Sequence, residues 1–152
     1  MSKRVILKLE QDGKDFGYVK LKKDIFYSNG SKEEAVVFEL EKYKKTSDTF
    51  YYKVADTKES YMDVKLATSR VQVVKPFLSV SSSSICAWTL KDDTLRMVIS
   101  NKETGKVLSS SDDTESTALY ANLFDGKPFK VTEESPNTVS NKANPALAHV
   151  VV

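Results

Sequence analysis

The chain has 152 residues, of which 40% are hydrophobic and 29% are charged, which is ordinary for one globular domain with its own core. Its 23 Lys and Arg residues nearly balance its 21 Asp and Glu residues, so no strong overall field attracts nucleic acid. One cysteine excludes an intrachain disulfide, and no apolar stretch could cross a bilayer. The sequence predicts neither nucleic-acid binding nor membrane insertion. It predicts a protein that is cytoplasmic or exported without a classical signal peptide.

Strand patterns dominate the chain from its beginning. Val5, Leu7 and Leu9 recur with the period of two that indicates a half-buried strand. Asp12-Gly13 marks a tight turn, after which the alternation resumes. Further short apolar runs separated by polar turns follow as far as residue 131, and no window of a dozen residues has a convincing helical period. The pattern predicts an all-β protein.

Three of the predicted strands begin at a constant spacing. They start at Val5, Phe50 and Leu95, so the starts are 45 residues apart both times (50 − 5 and 95 − 50). Each is followed by a polar break and further short strands, and each segment closes on a strand with an aromatic residue. The near-constant length predicts a β-trefoil, in which three four-strand units with pseudo-threefold symmetry each give two strands to a short barrel and two to a hairpin cap.

The constant spacing of these strand starts sets the predicted boundaries of the domain and its units. A single domain spans 1–135, its units cover about 3–48, 49–93 and 94–135, and 136–152 form a C-terminal tail that is loop-like or a terminal strand. The predicted core residues are Leu7, Leu9, Val19, Phe38, Leu40, Val54, Met62, Val64, Val73, Trp88, Leu90, Met97, Ile99, Leu108, Leu119, Phe129 and Val131. Cys86, in the same apolar strand as Trp88, is expected to be a small buried side chain rather than a reactive thiol.

Three stretches of the second and third units resemble the ricin-B-like β-trefoil lectins. Ala-Trp-Thr-Leu-Lys-Asp-Asp-Thr-Leu-Arg at 87–96 and Thr-Gly-Lys-Val-Leu at 104–108 are similar to that family's Trp strand, polar turn and Gly-Lys-x-Leu step. Ser-Tyr-Met-Asp-Val at 60–64 is similar to the family's Leu-Asp-Val segment, whose aspartate accepts sugar hydroxyls. The family's Gln two residues before Trp is Cys86 here, and the paired cysteines of secreted members are absent.

The resemblance implies one sugar site, in the second unit. Asp63 would accept hydrogen bonds from sugar hydroxyls, and Tyr61 would stack on the sugar ring. Because these residues are two positions apart, both lie on one face of a strand. Asp56 and Lys58 in the preceding turn, and Gln72 on the next strand, would complete the site. The alternative is structural, with Tyr61 packed in a hairpin cap and Asp63 capping a turn.

Catalytic and metal chemistry is not predicted. The one histidine, His149, lies in the tail, and one His with one Cys cannot supply the usual zinc ligands. A nucleophilic triad would have to recruit the same histidine, and neither a P-loop nor a dinucleotide fingerprint occurs. The sequence predicts a non-enzymatic protein without catalytic residues, metal or cofactor.

Two functions of different classes remain open, because a trefoil fold alone does not decide function. The first is carbohydrate binding, with a glycan or glycoprotein as partner and avidity from a homo-oligomer. The second is protein binding, by an actin-binding or cytokine-like module or by a protease inhibitor that projects the serine-rich residues 79–84. The missing Gln-x-Trp repeats, the absent disulfides and the lysine-rich first unit favour the second. The ricin-B-like matches favour the first, and carbohydrate binding is the function that the sequence predicts ahead of its alternative.

Overall fold

The structure is a computed structural model that describes residues 3–44, 48–77, 80, 84–111, 116–123 and 127–136. These residues form β-strands joined by turns and loops, and no α-helix occurs among them. The strands are β1 (Lys3–Gln11), β2 (Lys14–Lys22), β3 (Ile25–Gly30), β4 (Phe38–Lys42), β5 (Thr49–Val54), β6 (Tyr61–Lys65), β7 (Arg70–Val74), β8 (Ala87–Lys91), β9 (Thr94–Ile99), β10 (Lys102–Ser109), β11 (Tyr120–Leu123) and β12 (Lys130–Glu134). The predicted all-β character is confirmed.

The hydrogen-bonded ladders close the strands into an antiparallel barrel. The ring runs β1-β2-β3-β7-β11-β10-β9-β8-β5-β4 and returns to β1, and so contains ten strands. The other two strands pair with members of the ring: β6 pairs with β7 and β5, and β12 pairs with β1. Strands that are distant in the sequence therefore hold the barrel together.

The predicted β-trefoil of three four-strand units with pseudo-threefold symmetry is wrong, because the closed ring contains ten strands. Two short pairings in that ring join strands from all three predicted units. Ile25 pairs with Gln72 across β3 and β7, and Arg70 pairs with Tyr120 across β7 and β11. β12 forms its ladder with β1 and reaches the start of β9 through one backbone hydrogen bond from Val131. Spacing along the chain locates strands, but it does not tell which distant strand is the partner.

A central cluster of buried side chains connects the strands. Its largest members are less than 2% exposed, and burying each such side chain contributes roughly 1.5–3 kcal/mol. Every predicted core residue lies in this cluster or packs against it, with Val73, Leu90 and Ile99 only half-buried. The predicted burial of Cys86 and Trp88 is confirmed, and the Trp88 indole Nε1 donates to the Met62 carbonyl at 3.1 Å.

Three hairpins, β2–β3, β6–β7 and β10–β11, meet at what we term the three-strand junction, residues 25–27, 70–72 and 118–120. Leu119 N donates to Phe26 O, and Val71 N donates to Leu119 O, both at 2.9 Å. Phe26, Val71 and Leu119 are fully buried in the central cluster. Because side chains alternate along a strand, the residues that flank these three point away from the core.

Several predicted features lie outside the described residues. They are most of the tail 136–152, with His149, and most of the serine-rich segment 79–84. Within the described part of the chain, no helix combines the length and apolarity needed to cross a bilayer.

Candidate functional site

Tyr61, the predicted sugar platform, is buried on β6. It is 5% exposed and lies in a second buried cluster, with its ring centroid 6.0 Å from that of Tyr51 in an edge-to-face arrangement. Its hydroxyl donates to Glu41 Oε1 at 2.6 Å. Burial, followed by this hydrogen bond to a carboxylate, raises the pKa of Tyr61. Both its ring and its hydroxyl are therefore engaged within the protein.

Asp63, the predicted sugar acceptor, is also directed into the protein. It is 9% exposed, and its Oδ1 accepts hydrogen bonds from the backbone N–H groups of Val64 at 2.7 Å and Cys86 at 3.3 Å. Burial raises the pKa of Asp63, and these hydrogen bonds partly oppose that shift. Asp63 thus fastens the residues before β8 to β6.

The other three predicted site residues lie in two places. Gln72 is the β7 partner of Asp63, so these two are brought together. Asp56 and Lys58 lie in the β5–β6 turn, where Asp56 Oδ1 accepts a hydrogen bond from Arg4 of β1 at 3.2 Å. The role of all five residues in sugar binding stays a prediction, and the two central ones already have protein partners.

A different set of residues forms a partly exposed surface on the outer side of the three-strand junction. It consists of Ile25, Tyr27, Arg70, Gln72 and Tyr120, none of which is fully buried, and we term it the junction face. Sequence reasoning found only Gln72 among them. Strand alternation around Phe26, Val71 and Leu119 was the available signal, but nothing in the sequence joins the three segments.

Arg70 and Tyr120 form the centre of the junction face. The Arg70 guanidinium carbon lies 5.9 Å from the centroid of the Tyr120 ring, within cation–π range. Its Nη2 also donates to the Tyr120 hydroxyl at 3.4 Å. That hydrogen bond is the main cause that raises the pKa of Arg70. The pair presents a permanent positive charge beside a half-buried aromatic ring.

Lysines surround this face. Lys20, Lys22 and Lys65 are the strand partners of Tyr27, Ile25 and Arg70, and directly opposed residues in an antiparallel pair have side chains on the same side. Lys20 forms an ion pair with Glu34 at 4.0 Å. The acid opposite Gln72 is the buried Asp63. Arg70, Lys22 and Lys65 therefore place positive charge at the junction face. Exposed Asp24, next to Ile25, is an acid at its edge.

A second candidate site, which we term the polar pocket, lies where β5, β8, β9 and β10 come together. Its volume is about 250 Å³. Buried Tyr43, Thr49, Thr89 and Val98 line it. Its remaining lining residues, which form the exposed rim, are Asp48, Lys91, Asn101 and Glu103.

Hydrogen bonds fix the shape of the polar pocket. Thr89 Oγ1 donates to the Asp48 carbonyl at 2.9 Å, and Asn101 N donates to the Tyr43 hydroxyl at 3.1 Å. Thr49 and Thr89 are direct partners across β5 and β8. Hydrogen bonds to the backbone thus hold the pocket walls, and Asn101 and Lys91 are among the exposed residues that line the pocket.

No cluster of three or more His, Cys, Asp or Glu side chains able to hold a metal ion occurs in the described ranges. Comparisons with protein families, with curated proteins and with solved structures find no match for this chain. The resemblance to ricin-B-like lectins is therefore wrong as a family assignment, because no family model matches and the barrel closes through ten strands.

Proposed function

We propose that this protein is a non-enzymatic protein-binding module and that the junction face is its binding surface. The Arg70–Tyr120 pair carries this proposal. Arg and Tyr are the residue types most enriched, with Trp, among those that dominate the energy of protein interfaces. Here they lie together in contact, beside a second half-buried tyrosine, on a surface built from three strands.

The junction face is also rigid, which favours binding. Its backbone is fixed by the hydrogen bonds that link Phe26, Val71 and Leu119, whose side chains are in the central core. A surface that is already ordered loses little conformational entropy when a partner binds.

Electrostatics favours a partner that presents carboxylates. Arg70 and Lys65 are direct strand partners, and Lys22 lies beside Ile25 at the other side of the face. An acidic protein segment would meet this positive surface with complementary charge, which increases the association rate and selects against basic partners.

The sequence also predicted carbohydrate binding, a cellular location and a homo-oligomer. Support for carbohydrate binding comes from the polar pocket rather than from Asp63 and Tyr61. A cytoplasmic location, or export without a classical signal peptide, stays a prediction, as does homo-oligomer formation.

Affinity enrichment followed by direct binding measurements tests this function. Wild-type protein and the Arg70→Glu variant would be immobilised and exposed to extract from the producing cells, and enriched proteins would be identified by mass spectrometry. Lys102→Glu is the matched control, because it makes the same charge change at an exposed residue of β10.

We expect a partner that binds the wild type and the Lys102→Glu variant at least tenfold more tightly than the Arg70→Glu variant, since loss of a central interface residue costs more than about 1.4 kcal/mol. Tyr120→Ala should weaken the same partner. Equal enrichment by all variants would contradict the junction face as the binding surface.

A further inference from the structure

We infer that the polar pocket is a second binding site, independent of the junction face, and that its ligand is a single uncharged sugar ring or a similar polyol. The pocket volume of about 250 Å³ is slightly below the range of pockets that hold drug-sized molecules. It therefore suits one ring with several hydroxyl groups.

The rim offers both hydrogen-bond donors and acceptors. The Asn101 side chain supplies both kinds through its amide, Lys91 supplies donors, and Asp48 supplies acceptors. Each hydroxyl group of a sugar donates once and accepts through its lone pairs, so a mixed rim of this kind matches it. A purely donor or purely acceptor rim would select an anion or a cation instead.

The charges at the rim favour an uncharged ligand over an anion. The Glu103 carboxylate lies 3.5 Å from Arg96 and 4.0 Å from Lys91, so its charge is offset. The Asp48 carboxylate accepts a hydrogen bond from the Thr49 hydroxyl at 3.4 Å. The lining residues carry two carboxylates, Asp48 and Glu103, and one amine, Lys91, so an anion entering the pocket would be desolvated beside the like charge of Asp48, which is unfavourable.

The buried part of the pocket favours a ring rather than an extended chain. Val98 and Tyr43 supply apolar surface among the buried lining residues, together with the two threonines. The C–H groups of a sugar ring can lie against such a surface while its hydroxyls face the polar rim. This site does not use Asp63 or Tyr61.

The turn after β9 supplies a selective variant. Asn101 has a positive φ of 69°, so Asn101→Gly removes the amide while keeping a residue that adopts this conformation readily. The neighbouring Ser100 has a φ of 52° and is not among the pocket's lining residues. Ser100→Gly is therefore a matched control that makes the same backbone change without removing a rim group.

Titration of ¹⁵N-labelled wild-type protein with single monosaccharides tests the inference. The probes are glucose, galactose, mannose and N-acetylgalactosamine, each up to about 50 mM to cover weak millimolar binding. We expect at least one of them to shift the amide signals of Thr49, Thr89 and Asn101 in a saturable way. Loss of the Asn101 amide should weaken that affinity about fivefold to tenfold, with less than about a twofold change for Ser100→Gly.

Inorganic phosphate and ethylammonium serve as charged probes in the same experiment. Pocket signals that respond to either ion but to no sugar would overturn the inference, and so would the absence of any saturable shift. An Asn101→Gly variant that binds the sugar like the wild type would also overturn it. None of these results depends on Arg70, so a failure here is distinguishable from a failure of the junction face as a protein-binding surface.

Discussion

Asp63 and Arg70 lie on the two strands of one hairpin, β6–β7, and have opposite surroundings. Asp63 is 9% exposed and accepts hydrogen bonds from the backbone of two residues. Arg70 is exposed and contacts the side chain of Tyr120. Residues 84–87, which we term the covering segment, account for the burial of Asp63: the Cys86 backbone N–H donates to Asp63, and Ile85 and Ala87 lie in one buried cluster with Tyr61. Whether a residue of this hairpin is exposed, and can therefore bind a partner, depends here on a later segment of the chain, residues 84–87.

The largest effect on stability is expected from the loss of the Asp63 carboxylate. Asp63→Ala leaves the buried N–H groups of Val64 and Cys86 without acceptors, which should lower the free energy of unfolding by about 2–4 kcal/mol. Urea unfolding followed by Trp88 fluorescence measures this, since Trp88 is fully buried.

The Asp63→Asn variant is the matched control for that measurement. Its amide oxygen can accept the same two hydrogen bonds, so most of the loss should be restored. If Asp63→Ala unfolds at the same urea concentration as the wild type, the carboxylate does not fasten the covering segment, and its role as a sugar acceptor would deserve renewed testing.

The second effect is the pH dependence of stability that Asp63 confers. Burial raises the pKa of Asp63 above its ordinary value of 3.8, so the folded state binds this proton more tightly than the unfolded state. The resulting stabilisation is complete below pH 3.8 and is lost as the pH rises through the higher folded pKa. Relative to Asp63→Asn, the wild type should therefore gain stability as the pH falls from neutral toward 3.8.

Taking the difference between the two proteins removes the effect of the other acids. One of them is Glu34, whose pKa is lowered, chiefly by a hydrogen bond from the Ser31 backbone. It loses its stabilising effect as the pH falls, in both proteins alike. A wild-type minus variant difference that stays constant over this range would contradict a raised pKa for Asp63.

The smallest effect on stability is expected at Arg70, the exposed residue of the pair compared above. Arg70→Ala removes an exposed side chain with one weak hydrogen bond, so the free energy of unfolding should change by less than about 0.5 kcal/mol. The same urea measurement checks this. A loss comparable to that of Asp63→Ala would mean that Arg70 supports the barrel, and the partner-binding results at this residue would then report folding.

Local patterns in the sequence predicted the strands and the core well. The alternation at Val5, Leu7 and Leu9 marks β1, and these three residues are buried in the central cluster. The starts proposed at Phe50 and Leu95 fall one residue inside β5 and β9. Side-chain alternation and turn residues are local properties, so one segment is enough to read them.

The closure of the barrel and the candidate sites could not be predicted in the same way. The pairing of Arg70 with Tyr120 joins residues 50 positions apart (120 − 70), and neither segment carries a mark of the other. The spacing of Tyr61 and Asp63 placed them on one face of a strand, but it gave no sign that residues 84–87 would cover that face. Asn101 and Asp48 of the polar pocket are likewise 53 positions apart (101 − 48).

The ladder between β1 and β12 has a consequence for how the molecule is made. Lys8 pairs with Thr132 and Leu9 with Val131, so β1 leaves the ribosome long before this partner strand exists. Until then β1 pairs only with β2 and with β4, which reaches residues 3–5, so the edge of residues 6–10 that later pairs with β12 has no partner. Contacts this distant in sequence form slowly. During synthesis the nascent chain therefore carries an open strand edge, the kind of feature that chaperones shield from aggregation.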